Sequence, residues 1–104
     1  MLTVYGSAMC PDCRECKANF ESNGIEFEFI DINESLKNLK EFLKLRDHQP
    51  VFEKWKKIGD IGIPGIVSDD GKVFTDWEGY LIEKGLPIVY KENGQACSLD
   101  RKGC

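Results

Sequence analysis

Two cysteines two residues apart, in Cys10-Pro11-Asp12-Cys13, follow directly on the apolar run Leu2-Thr3-Val4-Tyr5. No other part of the chain constrains the fold as strongly. The short apolar run reads as a strand. A proline just after a cysteine reads as a helix start, because at the first helical position its missing N–H costs nothing and its fixed φ suits the helix. The junction therefore predicts a strand, a turn and a helix that begins at Pro11. Cys10 then falls at the N-cap, where unpaired backbone amides and the positive end of the helix dipole favour thiolate over thiol. Cys13, one turn on, can close a disulfide back onto Cys10. The pair reads as a thiol–disulfide exchange centre, and Pro11 favours that reading over half of a metal knuckle or two small core residues.

At 104 residues the chain is one domain, and no apolar run approaches membrane-spanning length. The N-terminus lacks a basic region and a long apolar stretch, so it reads as a strand rather than a signal peptide. The expected address is a reducing cytoplasm, where five cysteines point to chemistry or metal binding more than to crosslinks. The net charge of −4 argues against nucleic acid as a partner, since phosphate contacts need a basic face.

Strand and helix signals alternate, which predicts a layered α/β fold. The first strand is Leu2–Gly6, and the first helix runs from Pro11 to Asn23 and stops at Gly24. Alternation from Ile25 to Ile32 predicts a second strand, joined to the first by a right-handed parallel crossover. A second helix is expected from Glu34 to Arg46, with Leu36, Leu39 and Leu43 on its core face and Phe42 beside them. Pro50 opens a short helix in which Val51, Trp55 and Ile58 share a core-facing side, ended by Gly59. Asp70-Gly71, between Gly65–Ser68 and Lys72–Thr75, predicts a hairpin with a two-residue turn. A short last helix is expected over Asp76–Lys84, then an extended segment Leu86–Tyr90 and a polar tail from Gly94 to Cys104.

The order of elements, the Cys10-Pro11-Asp12-Cys13 motif at a helix start, and the Ile63-Pro64 step before the hairpin resemble glutaredoxins of the thioredoxin superfamily. The resemblance covers residues 1–85, with 86–104 a C-terminal extension either packed on that domain or flexible. It implies a thioredoxin-like (glutaredoxin) fold of the α/β class, a four-stranded mixed sheet with helices on both faces. It implies a thiol–disulfide oxidoreductase acting on protein or small-molecule disulfides or glutathione mixed disulfides, with no tightly bound cofactor. It also implies that Pro64 is cis, that the backbone of Ile63 pairs with the bound glutathione or peptide, and that Pro11, Asp12 and Asp76 help to bind substrate. The chain departs from the family at Asp12, where a tyrosine or phenylalanine is usual, and at Ser7, where a lysine is often found. Gly62-Ile63 replaces Thr-Val, and Thr75-Asp76-Trp77-Glu78-Gly79 replaces a Gly-Gly-x-Asp stretch. These departures leave the reductant open between glutathione and a thioredoxin-reductase-like or other dithiol donor. The helical insert from Arg46 to Gly59 and the cysteine-containing tail resemble a glutaredoxin-related bacterial branch.

Within the motif, Cys10 is the expected nucleophile and Cys13 the resolving thiol. Asp12 either raises the Cys10 pKa, partly offset by Arg14 and Lys17, or is simply a favourable charge in the first helical turn. Cys16 continues a stripe with Cys13 and Phe20 and reads as a buried small residue; a second disulfide with Cys13 and iron–sulfur ligation are its alternatives. Cys97 and Cys104 allow a tail disulfide, a relay to Cys10, free thiols or a zinc site shared with the motif. The alternative function is accordingly a metal-binding or iron–sulfur module built from Cys10, Cys13 and the tail cysteines. His48 reads as a loop residue, and Trp77 and Tyr80 as lining a groove or as packing.

Overall fold

The computed structural model describes residues 1–91. Four strands, β1 (Leu2–Gly6), β2 (Phe27–Asp31), β3 (Gly65–Val67) and β4 (Val73–Phe74), form one sheet in the order β2-β1-β3-β4. β1 pairs β2 in parallel, Val4 opposite Phe29, and pairs β3 antiparallel, Val4 opposite Ile66. β4 closes the edge antiparallel to β3. The helices are α1 (Pro11–Ser22), α2 (Leu36–His48), α3 (Glu53–Lys57) and α4 (Trp77–Glu83), with a 3-10 turn over Pro50–Phe52 ahead of α3. None of the helices among the described residues is long and apolar enough to cross a membrane.

Strand alternation sends β1 side chains to two separate cores, which puts helices on both faces. Leu2 and Val4 join Cys16 and Phe20 of α1, Ile66 of β3, and Trp77 and Leu81 of α4 on one side. Tyr5 points the other way, into a cluster built on Ile32, Phe42 and Phe52. Gly65 is bare because Phe52 and Phe42 occupy that space: an added Cβ would lie 3.1 Å from Phe52 and 3.3 Å from Phe42. The ring pair Phe42–Phe52 meets edge to face with centroids 5.7 Å apart.

Several local expectations are corrected, each for a physical reason. β2 begins at Phe27 rather than Ile25 because the end of α1 consumes the intervening residues. Gly24, at φ +71°, bonds from its amide to Glu21, and the Ile25 amide reaches back to Phe20, the pattern that closes a helix on a left-handed residue. α2 begins at Leu36 rather than Glu34 because the Ser35 hydroxyl caps it, accepting from the Asn38 amide at 3.1 Å. It continues to His48, whose Nδ1 is 2.7 Å from the Lys44 carbonyl oxygen, so His48 is helical and not a loop residue. The buried face of α2 carries Leu39, Phe42 and Leu45; Leu36 is 72% exposed and Leu43 lies toward solvent. Ile58 is exposed too, because it falls at the end of α3, after the turn that carried Trp55 inward. The hairpin loop has three residues, 69–71, not two. Ser68 N–H bonds to the Lys72 carbonyl, and Gly71 at φ +86° bonds back to Ser68, a turn followed by a left-handed residue.

Residues 86–91 lie along α1. Asn23 donates from Nδ2 to the Pro87 carbonyl at 3.0 Å. Asn19 takes both backbone groups of Val89, donating to its carbonyl at 2.9 Å and accepting from its amide at 2.8 Å. Glu15 accepts from the Lys91 amide at 3.1 Å. Asn19 and Glu15 are both buried, so these bonds satisfy polar groups that water does not reach. Leu86 and Ile88 pack from the same segment against the α1–α4 core.

Candidate active site

The turn ahead of Cys10 is held by the C-terminal end of β2. Asp31 accepts from the amides of Asn33 at 2.8 Å and Ala8 at 3.3 Å. The Ser7 hydroxyl bonds to the Asn33 side chain and accepts from the Met9 amide at 3.1 Å, and the Cys10 amide donates to the Ser7 carbonyl at 3.1 Å. Ser7, at the position read only as a missing lysine, is a buried organiser of the turn.

Cys10 is the N-cap of α1 in an extended conformation, and Pro11 opens the helix. The sulfur is half-buried. Its pKa is lowered to about 6, chiefly because the Cys13 thiol donates to it, with further help from the backbone amides of Cys13 and Asp12; burial and the Asp12 charge oppose this. Cys13 is fully buried, and its own pKa is pushed up because its proton is held by Cys10 and because it lies away from water. The anion is thus favoured on Cys10, the less buried of the two sulfurs. Gly6 makes this possible: a Cβ there would stand 3.0 Å from Cys13 Sγ. Cys10, Cys13 and Cys16 are all free thiols.

Arg14 donates from Nη1 to the Ala8 carbonyl at 2.6 Å, and Lys17 lies over the Phe29 ring, 5.3 Å from its centroid. Asp12 accepts from Trp77 Nε1 at 3.2 Å. Cys16 is fully buried beside Phe20, and burial raises its pKa, the environment of an inert thiol.

A cleft of about 470 Å³ opens beside Cys10. Cys10, Pro11, Asp12, Ile63 and Pro64 line one part of it, so five of the expected site residues come together, and the Ile63-Pro64 bond is cis. Cys13 lies behind Cys10. Asp76 stands elsewhere: its carboxylate caps α4, accepting from the Gly79 amide at 2.9 Å, and it borders a different depression. Its neighbour Thr75 lines the cleft instead.

The remaining wall is Trp55, Asp60, Ile61 and Gly62, which the sequence reading did not assign to the site. These residues follow the short α3. Gly59 at φ +75° and the Asp60 amide, bonding to Trp55 at 2.8 Å, turn the chain back toward Cys10. Arg46 fixes the turn from α2, donating to the carbonyls of Ile61 at 2.9 Å and Asp60 at 2.8 Å. Gly62 at φ +94° passes so close to Phe52 that a Cβ would stand 2.9 Å from its ring. Two glycines flanking Asp60-Ile61 immediately before Ile63-Pro64 are the signal that marks this loop in the sequence. Trp55 is tied across the cleft by its Nε1, 3.3 Å from the Thr75 hydroxyl.

Trp77 is buried in the core, and Tyr80 stacks on Phe74 and borders the same second depression as Asp76 rather than the cleft beside Cys10. Among the described residues no three histidine, cysteine, aspartate or glutamate side chains gather to hold a metal ion. Cys97 and Cys104, which the metal-binding alternative and the relay both require, lie outside the described residues.

The glutaredoxin family pattern matches residues 2–54. An uncharacterized protein of Haemophilus influenzae is 36% identical over 73 residues, covering 70% of this chain and 85% of that protein. Among solved structures, an epsilon-class glutathione S-transferase from the housefly Musca domestica matches 95% of this chain with a TM-score of 0.51 at 24% identity. The chain spans only 38% of the transferase, and the likeness is one of fold.

Proposed function

Since this chain belongs to the glutaredoxin family, we propose that it is a thiol–disulfide oxidoreductase working through Cys10 and Cys13. The observation that carries this reading is the half-exposed Cys10 at the start of α1, its pKa lowered to about 6 by the thiol behind it. Near neutral pH that sulfur is largely thiolate, the form that attacks a disulfide. Attack forms a Cys10–substrate mixed disulfide and releases the substrate's other sulfur as a thiolate. Cys13, losing its proton as it attacks Cys10, releases the second substrate sulfur and leaves a Cys10–Cys13 disulfide. A thiol reductant restores the pair. Beside the sulfurs, Ile63 and cis Pro64 offer a backbone edge along which an extended substrate can lie, with Trp55 and Ile61 as its apolar floor.

Turnover of a protein disulfide with dithiothreitol, together with the absorption spectrum and zinc content of the purified protein, tests the reading. Turnover by a colourless, zinc-free protein is the expected result. Cluster absorbance or stoichiometric zinc, without turnover, would instead favour the metal-binding alternative.

Glutathione is expected to be a poor partner. The charged side chains lining the cleft are the carboxylates of Asp12 and Asp60, and glutathione itself carries two carboxylates. Asp12→Tyr should raise glutathione-coupled turnover several-fold and lower the Cys10 pKa slightly, because one opposing charge is gone. Coupled turnover and the pH dependence of alkylation in both proteins check this. Efficient wild-type turnover of glutathione mixed disulfides, unchanged by the substitution, would refute the charge argument.

A further inference from the structure

We infer that Arg46 is a positioning residue for substrate selection. Through two backbone carbonyls it holds Ile61 out into the cleft, where that side chain favours extended peptide disulfides with an apolar residue beside the cysteine. The inference rests on Cys10 being the reactive thiol and adds a substrate class to the proposed function.

The physical need arises at the end of α3, which closes on a left-handed residue. Gly59, at φ +75°, donates to the Lys56 carbonyl at 3.1 Å, and the Asp60 amide reaches the Trp55 carbonyl at 2.8 Å. At a helix end of this kind the residue after the glycine is frequently apolar and packs back on the last turn. Here that residue is Asp60, which is exposed, and the apolar residue comes one later. Ile61 is 50% exposed and lines the cleft with Cys10 and Pro11. Gly62 follows at φ +94°. Asp60 and Ile61 thus stand between two left-handed glycines, and neither side chain is anchored in the core.

Arg46 supplies an anchor from α2. Its Nη2 donates to the Asp60 carbonyl at 2.8 Å and its Nε to the Ile61 carbonyl at 2.9 Å. Two adjacent carbonyls match the side of a planar guanidinium, a geometry that a lysine ammonium does not reproduce. The Asp60 carboxylate adds a local bond, accepting from the Ile61 amide at 2.6 Å. Both backbone polar groups of Ile61 are therefore bonded while its side chain stays half in water. A single exposed isoleucine is ordinary on a protein surface. This one differs in lying beside the nucleophile, with a charged side chain from another helix fixing its backbone. An apolar substrate group that covers it gains free energy by leaving water. Hydroxyethyl disulfide has no side chain to offer it, and the cysteine of glutathione is flanked only by glutamate and glycine.

In the experiment, reduced full-length protein is mixed with excess disulfide, and the released thiol is followed through a single turnover. The readouts are a saturating rate and a half-saturating concentration. The substrates are hydroxyethyl disulfide and the homodisulfides of two acetylated peptides, whose cysteine is flanked on both sides by leucine or by serine. Wild type should be half-saturated at about fivefold less leucine peptide than serine peptide. Arg46→Ala should raise the half-saturating concentration of leucine peptide about fivefold, leaving the saturating rate and the pH midpoint of Cys10 alkylation where they were. Arg46→Lys should restore part of the loss, since it keeps one donor. In an Ile61→Ser background, Arg46→Ala should shift the concentration less than about twofold, because the side chain it positions is gone. An equal rise in both backgrounds would mean that Arg46 acts by holding the fold and would overturn the inference. A fall in saturating rate alone, or a wild type indifferent to leucine, would overturn it too. Far-ultraviolet circular dichroism checks the fold, and a misfolded Arg46→Ala protein is replaced by Arg46→Lys in both backgrounds. A smaller rise that depends on Ile61 is expected there, and none would overturn the inference. A wild type that reduces none of the three disulfides would instead sink the proposed function.

Discussion

Cys10→Ser is expected to abolish disulfide reduction, lowering turnover by roughly three orders of magnitude or more, because a serine hydroxyl at neutral pH offers almost no anion to attack sulfur. Among the described residues no neighbouring thiol can stand in. Cys13 is fully buried with its pKa pushed up, and Cys16 is fully buried on the same helix with its pKa raised by desolvation. Cys13→Ser should behave differently. Its Cys10 still attacks, but nothing behind it resolves the product, so a covalent substrate adduct accumulates. Intact-mass measurement after incubation with a disulfide substrate reads the adduct, and it should be absent from Cys10→Ser. Turnover persisting in Cys10→Ser would remove the assignment of the nucleophile.

Phe42→Ala should have the largest effect on stability, about 3–5 kcal/mol, as expected when a fully buried aromatic leaves a cavity. Phe42 is fully buried and meets the rings of Tyr5, at 6.1 Å, and Phe52. The neighbouring substitutions Leu36→Ala and Leu43→Ala should cost under about 1 kcal/mol each, because both side chains face solvent. Chemical denaturation of the three variants checks the contrast. With a typical domain stability of about 5–15 kcal/mol, the Phe42→Ala protein would retain only part of its reserve. A loss confined to the leucine variants would mean that α2 packs by another face.

What the sequence made legible was local. The strand, Cys10, Pro11 and the helix are consecutive, and each residue's preference agrees with its neighbours, so β1, α1 and the exposed sulfur follow from the chain without tertiary information. The glycine ends of α1 and α3 were readable for the same reason. The face of α2 was not. Leu36, Leu39 and Leu43 fit a helical stripe about as well as Leu39, Phe42 and Leu45 do, and only the presence of Phe52 and Gly65 opposite decides between them. The far wall of the cleft was hidden similarly, since Trp55, Asp60 and Ile61 reach Cys10 through a turn fixed by Arg46 from another helix. Asp76 carried a family expectation, but in this chain it is the capping residue of α4. The Trp77–Asp12 bond spans two distant elements and left no local trace.

The contacts between α1 and residues 87–91 form a vernier. On the helix the bonding side chains are four residues apart, at 15, 19 and 23; on the segment the bonded backbone groups are two apart, at 91, 89 and 87. Four helical residues rise about 6.0 Å, and two extended residues about 6.6 Å. The two scales nearly coincide, slipping by about 0.6 Å at each step. Centred on Asn19, which binds both backbone groups of Val89, the outer rungs are each off by about that amount, within the tolerance of a hydrogen bond. One more rung at either end would be off by about 1.2 Å and would have to stretch or tilt. A straight helix can therefore read an extended chain through its side chains for about three rungs, and the ladder among the described residues has that length.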